Sequence, residues 1–300
     1  MTAKVILNPY SNRWNSQKRW PEAEAALKAS GVDFDLAISQ KKGQIVELAE
    51  QAVREKFSPI IIAGGDGSIG DTANGMMRAV QSAGAGPVPL GIMPLGSAND
   101  LVYTLKLPTD LKEAAGVIAA GKTRAMDLGM LNGRYFVNNS AGCLEPYVTV
   151  KHEKIHRIKG MVRYLVAAVQ AIGDKPEWQG TVEWDGETFR GKLSLFSVGN
   201  GRRTGGFFMT PHADLFDGKL TLAFGYRGTR LGLFLALPRA FNEDKGNYVE
   251  LEGMREVQTT RVSIHLDKPS PAHTDGELLP EWIQDFEYEI LPKSLTIIVP

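Results

Sequence analysis

SPIIIAGGDGSIGDTANGMM, residues Ser58 to Met77, carries an apolar strand into a glycine-rich turn and then into a helical pattern. The run PIIIA reads as a buried strand that delivers Gly64 and Gly65 to its carboxyl end, and the spacing predicts a helix from about Ile69 to Gln81. Glycines without Cβ atoms let backbone N–H groups approach a ligand closely. The helix that follows points unsatisfied N–H groups, and a partial charge of about +0.5, at the same spot. Phosphate is the natural guest, and Asp66 then stands out, because a bare carboxylate repels it. Either a bound Mg²⁺ or a hydrogen bond that orients the loop would resolve that conflict. A tight strand-to-helix turn with an acidic first residue is the plain alternative, and this motif alone does not separate the two.

Working outward, the first third of the chain alternates strand and helix. KVIL (Lys4 to Leu7) is a buried strand ending at Asn8-Pro9, Gln17 to Ser30 has helical spacing with Gly31 as its stop, and DFDLAIS (Asp33 to Ser39) alternates as a strand. Gln44 to Lys56 is a second helix, with Ile45, Leu48, Ala49, Ala52 and Val53 on one face. After the opening stretch come the strand VPLGIMPLG (Val88 to Gly96) and a short helix from Asn99 to Leu105. This order argues for an open parallel sheet with crossover helices, whose ligand sits at the carboxyl ends of the strands.

After Asp127 the texture becomes antiparallel β. GRYFVNN, GTVEWDGETFRGKLSLFSVGN, GKLTLAFGY and RVSIHL read as strands, with short turns at Asn132-Gly133, Asp185-Gly186 and Asp217-Gly218. Two helical patterns interrupt them, from about Lys151 to Ile172 and from about Thr229 to Phe241. A nucleotide-type α/β domain over 1–125 and a β-rich domain over 126–300 are expected, with the extreme C-terminal segment free to pack back on the first domain.

Composition narrows the partners. In 300 residues, 34 basic and 34 acidic side chains cancel, so no global field steers nucleic acid towards the chain and no nucleic-acid partner is expected. Cys143 is the single cysteine, which excludes an internal disulfide framework and a cysteine-based zinc site, and fits a reducing cytoplasm. MTAKVILNPYSN has no charged-then-apolar leader, and LGLFLALPRAF (Leu231 to Phe241) is too short and too broken by Pro238 to span a bilayer, which needs about 20 residues.

A second motif, PLGSAND (Pro94 to Asp100), also ends a buried strand. Gly96 permits a sharp turn, Ser97 offers a hydroxyl, and Asn99 and Asp100 can cap a helix or reach a ligand. GGDGS (Gly64 to Ser68, through Gly67) followed by PLGSAND resembles the diacylglycerol kinase catalytic domain family, in particular its bacterial soluble lipid kinases. NPYSN (Asn8 to Asn12, with Pro9) is similar to that family's first nucleotide loop, with Asn12 in place of glycine, and Ser39 matches a position usually held by threonine near the nucleotide. MDLGMLNGRYFVNNSAG (Met126 to Gly142), GNGRRTGGFFMTPHADLFDGKL (Gly199 to Leu220) and HTDGELL (His273 to Leu279) resemble the later motifs in order. Asp71 stands where the family commonly has glutamate, and Ser68 and Ser97 replace commoner threonines.

The resemblance implies an ATP- and Mg²⁺-dependent kinase acting on a lipid hydroxyl. It also implies a Rossmann-like open sheet of the phosphofructokinase and NAD kinase type, followed by a mainly antiparallel β-sandwich. It assigns the proton acceptor to Glu277 with Asp275 as its close partner. It assigns a structural magnesium to the Asp217 side chain and the carbonyls of Asp214 and Lys219. Elementary chemistry agrees with this, since phosphoryl transfer asks a protein to position an alcohol, accept its proton and neutralise charge. The implied partner is a lipid substrate, and the implied location is the cytoplasm, with a peripheral contact at the inner membrane face.

Two other functions remain open at the level of sequence: a different kinase with the GGDG motif, acting on NAD or a sugar, or a catalytically silent nucleotide- or lipid-binding protein. PLGSAND and the late DGE speak against the first, and the retained Asp66, Asp217, Asp275 and Glu277 against the second. The basic helix KHEKIHRIKGMVRYLVAAV (Lys151 to Val169) reads equally as a membrane-facing or a solvated helix. The histidines show no metal-ligand spacing and are expected on the surface or in packing, and Arg202 and Arg203, in reach of a phosphate contact by their place in the glycine-rich segment, are expected in a solvated turn. Pocket shape decides which lipid is taken, and no motif bears on oligomeric state.

Overall fold

The computed structural model describes residues 2–84, 86–155 and 160–300. The chain forms two compact units, Met1–Leu128 with Pro292–Pro300, and Gly129–Leu291.

The first unit runs β1 (Ala3–Leu7), α1 (Asn15–Ala29), β2 (Phe34–Ile38), α2 (Gln44–Arg54), β3 (Ile60–Gly64), α3 (Asp66–Ala83), β4 (Leu90–Pro94), α4 (Asp100–Thr104) and α5 (Leu111–Ala120). The strands pair in parallel in the order β2-β1-β3-β4, and the C-terminal segment adds a further parallel strand through Ile297 beside Leu90. β3 and β4 are buried on both faces, which is why their residues form continuous apolar runs rather than alternating. In α2, Ile45, Val46, Ala49, Ala52 and Val53 are buried at helical spacing while Glu47, Gln51 and Arg54 face solvent. Its neighbour α3 approaches so closely that a Cβ on Gly75 would sit 2.2 Å from the Val46 carbonyl oxygen.

Two departures from the sequence reading matter here. α3 begins at Asp66, three residues before the expected Ile69, so the glycine turn is itself the mouth of the helix. α5 was not expected, although Asp110 caps it by accepting the N–H groups of Lys112 and Glu113, and Gly121 ends it at φ 64°.

β5 (Thr123–Leu131) crosses the boundary at Leu128, and the second unit continues with β6 (Arg134–Phe136), β7 (Asn139–Cys143), α6 (Leu144–Lys154), α7 (Gly160–Asp174), β8 (Trp178–Trp184), β9 (Glu187–Leu193), β10 (Leu195–Gly199) and β11 (Leu220–Gly225). α8 (Arg230–Arg239), β12 (Met254–Thr259), β13 (Arg261–Ser270), β14 (Ala272–Thr274), β15 (Glu277–Leu278) and β16 (Ile283–Ile298) complete it. One antiparallel sheet contains β9-β8-β13-β16 with β5 and β6, and the other runs β12-β11-β10-β7-β14-β15. Between them lies a core in which Phe136, Phe196, Phe224 and Phe286 are buried, with Phe196 edge-on to Phe286 at 4.9 Å. Strand alternation turns Leu195 and Ala223 to the opposite face, where α6, α7 and α8 pack through Ala168, Leu233 and Ala236. This is the antiparallel sandwich expected, with a helical layer added.

The single helical pattern read from Lys151 to Ile172 is two helices, because Ile155 is extended at φ −92° and ψ 110° and ends α6. His156, Arg157, Ile158 and Lys159 lie outside the described residues. No helix among the described residues is long and apolar enough to cross a membrane.

Candidate functional site

In the first unit the four parallel strands end on one edge of the sheet, and every candidate of the two glycine motifs lies there. The order β2-β1-β3-β4 reverses direction between β1 and β3, which is where ligands of such sheets bind. At that reversal the Asn8 amide donates to Ser68 Oγ at 2.8 Å, and Ser11 Oγ lies 3.1 Å from the same hydroxyl. Asn8 also accepts the Tyr10 N–H, fixing the loop after Pro9. Asn12 sits at φ 51°, in the left-handed region that asparagine tolerates, and accepts a 2.8 Å bond from Ser97 Oγ. Ser39, at the end of β2, is buried and donates to the Lys41 carbonyl.

The β3 and β4 turns touch through their backbones. A Cβ on Gly96 would fall 2.5 Å from Gly65 Cα and 2.5 Å from Asn99 Oδ1, so both turns require glycine for contact and not merely for flexibility. Gly67 belongs to the first turn of α3, and the cap residue Gly65 provides no side-chain cap. The Asp66 carboxylate accepts the Leu101 N–H at 3.0 Å, so the aspartate of one motif caps the short helix that opens the other. Asp100 is buried in that helix, and Asp71 lies half-buried one turn further along α3. Asn99, at φ 50°, keeps its side-chain oxygen buried and without a hydrogen-bond partner, a position that a ligand hydroxyl or amino group would satisfy. Uncapped helix N–H groups, bare glycine backbone and clustered hydroxyls fit a nucleotide phosphate chain.

In the second unit, DGE forms a two-residue hairpin between β14 and β15, with Asp275 at φ 50° and Gly276 at φ 80°, the left-handed pair this turn demands. Asp275 is buried, and its carboxylate accepts the N–H groups of Val137, Asn138 and Asn139 at 2.9, 2.8 and 3.2 Å. Its own N–H returns a bond to the Asn139 carbonyl. Glu277 opens β15 half-buried. The hairpin is thus clamped by Asp275, with Glu277 directly after the turn in β15. Asp214 and Asp217 each fold their carboxylate onto the local backbone, accepting from Phe216 N and Lys219 N at 3.0 and 2.9 Å.

Residues 2–131 match the family model of the diacylglycerol kinase catalytic domain, and residues 140–299 match that of the YegS C-terminal NAD kinase beta sandwich-like domain. A diacylglycerol kinase of Staphylococcus aureus (strain MRSA252) is 30% identical over 222 residues, covering 73% of this chain and 69% of that protein.

The chain belongs to the diacylglycerol kinase family.

A second relative named diacylglycerol kinase, from Staphylococcus carnosus (strain TM300), is 27% identical over 279 residues, 92% of this chain and 88% of that one. The crystal structure of a diacylglycerol kinase from Bacillus anthracis str. Sterne superposes with a TM-score of 0.74 at 20% identity, covering 100% of this chain and 97% of that one, and establishes the shared fold.

Within this diacylglycerol kinase family member, sequence reasoning passed over several groups. Ser11 and Tyr10 complete the first loop, Tyr10 by donating to the Gln40 carbonyl at 2.8 Å, and only the intervening NPxSN spacing hinted at them. His273, expected in a packing role, is buried with its Nε2 at 3.1 Å from a carboxylate oxygen of Glu145, itself buried. Arg202 is held by Glu243 at 2.8 Å and Asp244 at 3.1 Å, which commits it to the loop rather than to phosphate. Burial pushes the Cys143 thiol well above its ordinary range, so it is an inert core thiol. An open concavity of about 630 Å³ lies at the Asn132 and Asp185 turns, lined in part by Met130, Asn132 and Gly133 of the Met126–Gly142 motif and by none of the candidate site residues.

Proposed function

We propose that this protein is a lipid kinase that transfers the γ-phosphoryl group of ATP to the hydroxyl of diacylglycerol or a related lipid alcohol. The observation that carries the reading is the meeting of the two glycine turns at one sheet edge, in a chain of this family. ATP supplies the phosphoryl group and Mg²⁺ the charge neutralisation that its transfer requires. Gly64, Gly65, Gly67 and Ser68 present backbone N–H groups and a hydroxyl to the phosphates. Asn8, Asn12, Gly96, Ser97 and Asn99 close the same edge, and Asp66 holds the two turns together. Glu277 accepts the proton of the lipid hydroxyl, and Asp275 sets the hairpin from which it projects. The carboxylate of Asp217 and the carbonyls of Asp214 and Lys219 make a hard-oxygen donor set that fits Mg²⁺ with waters completing its shell.

The candidate for the acyl chains is an apolar region of the second unit. Leu144, Val148, Tyr164, Phe207 and Leu237 line an apolar pocket of about 70 Å³ beneath α7 and α8. Sites for drug-sized ligands run to about 300–1,000 Å³, so lipid entry parts these helices. On the same helices Val162 and Val169 of α7, and Leu231 and Leu235 of α8, are exposed. This apolar surface, rather than the basic residues, is the better membrane contact, since Lys151 is paired with Asp174 at 2.5 Å and Arg163 donates to the His152 carbonyl.

The decisive assay supplies radiolabelled ATP with a panel of lipids in mixed micelles, with NAD and sugars as competitors. Transfer to a lipid alcohol that disappears in Glu277→Ala is expected. Transfer to NAD or sugars alone would overturn the substrate class, and full transfer by the Glu277 variant would overturn its role as base. Charge reversal at exposed Lys154 should leave vesicle binding unchanged, whereas Leu231→Glu with Leu235→Glu should weaken it.

A further inference from the structure

Glu145 has no part in the proposed chemistry, yet it is coupled to the hairpin through the buried His273. It opens α6 and is 7% exposed, with His273 beside it at 1%. The backbone N–H of Gly276 donates to His273 Nδ1 at 3.3 Å. A backbone amide can only donate, so Nδ1 carries no proton, and the ring proton is on Nε2. That proton is directed at Glu145 Oε1, 3.1 Å away. The Asn139 amide reaches the same oxygen at 3.4 Å and Ser197 Oγ at 3.1 Å, while Glu145 Oε2 is buried without a partner.

We infer that Glu145 is a positioning residue for this enzyme: it holds His273 in the Nε2–H tautomer, and His273 in turn holds the Gly276 amide that aims Glu277. This rests on the reading of Glu277 as base. The logic is directional. In the other tautomer Nδ1 bears a proton that faces the Gly276 N–H, donor against donor, and the left-handed turn loses its internal support. Asp275 clamps the hairpin from the side of Val137 to Asn139, and the Glu145–His273 pair supports it from the helical layer. Ser140 Oγ and the Arg134 guanidinium add bonds to the His273 carbonyl and the Thr274 hydroxyl, and supports from several sides on a two-residue turn leave Glu277 little freedom, as a base that must meet one hydroxyl requires. A buried carboxylate with one oxygen unpaired costs stability, so packing alone does not account for it.

The test begins with the unaltered protein. Nitrogen-15 spectra of its imidazoles, five histidines in all, should show one slowly exchanging Nε2–H tautomer that vanishes in His273→Gln. Glu145→Gln, whose amide oxygen still accepts from Nε2–H, should keep the tautomer and hold kcat within about threefold, while Glu145→Ala should mix the tautomers and lower kcat about tenfold or more with lipid KM within about twofold. An Nδ1–H tautomer in the unaltered protein would refute the inference, as would a folded Glu145→Ala variant with wild-type kcat. If Glu145→Ala does not fold, the tautomer and the Glu145→Gln rate decide. Should Glu277→Ala retain full turnover, the base assignment fails on its own, and the tautomer still judges the brace.

Discussion

The Asp66 carboxylate accepts the backbone N–H of Leu101, 35 residues away, at 3.0 Å and so ties the GGDGS turn to the helix that follows PLGSAND. An acceptor at a helix N-terminus is worth about 1 kcal/mol. Asp66→Ala should therefore lower stability by about that amount and weaken ATP-analogue binding much more, because it frees the β4 turn. Asp66→Asn, which retains an oxygen acceptor, should preserve stability. Thermal melts alongside a fluorescent nucleotide titration read both, and unchanged nucleotide affinity in Asp66→Ala would remove the linking role.

Gly96 meets Gly65 with no room for a methyl group, since its Cβ would lie 2.5 Å from backbone. Backbone cannot swing aside as a flexible side chain can. Gly96→Ala should cost about 1–3 kcal/mol and abolish nucleotide binding. Gly86→Ala, which meets nothing within 4 Å, is the control and should do neither.

Asp275 and Glu277 should separate cleanly. Asp275 accepts three backbone N–H groups, and asparagine would replace one of its oxygens by a donor facing donors. Asp275→Asn should lose about 2–3 kcal/mol as well as activity. Glu277→Gln, which keeps the side chain's size and one oxygen acceptor, should lose activity with a much smaller loss of stability. Equal melting temperatures for the two variants would contradict this division.

Three buried acids predict alkaline sensitivity. Burial raises the Cys143 thiol above its ordinary 9.0 and the Tyr248 and Tyr288 phenols above their ordinary 10.0. The unfolded chain ionises in that range while the fold keeps all three protons, so unfolding releases protons and stability falls as pH rises. It is complete below about pH 8 and declines above the ordinary values, by about 1.4 kcal/mol per pH unit for each group. Melting temperatures from pH 8 to 10.5 check this, and Cys143→Ser should flatten the early part of the decline. A level profile across that range would count against burial as the cause.

Much of the fold was legible because it is periodic. Strand β3, the buried face of α2 and the DG turns follow from apolar spacing and from glycine at left-handed positions, both local properties of the chain. The early start of α3 was hidden because Asp66 and Gly67 are weak helix formers held there by the sheet edge and by Leu101. The break at Ile155 was hidden because its apolar spacing continues across it. At the site, the motif order announced the family and the polar turns, while the duties of individual carboxylates stayed open.

Sequence alone determined the alternation of elements and the two glycine turns, since each depends on residues within a few positions of one another. Only the tertiary structure decided that Asp66 links loops, that Asp275 clamps the segment from Val137 to Asn139, and that Glu145 reaches His273 across 128 residues. Hydrogen bonds act over about 3 Å, and no spacing along the chain reports which distant backbone amides and side chains the fold will bring within that reach.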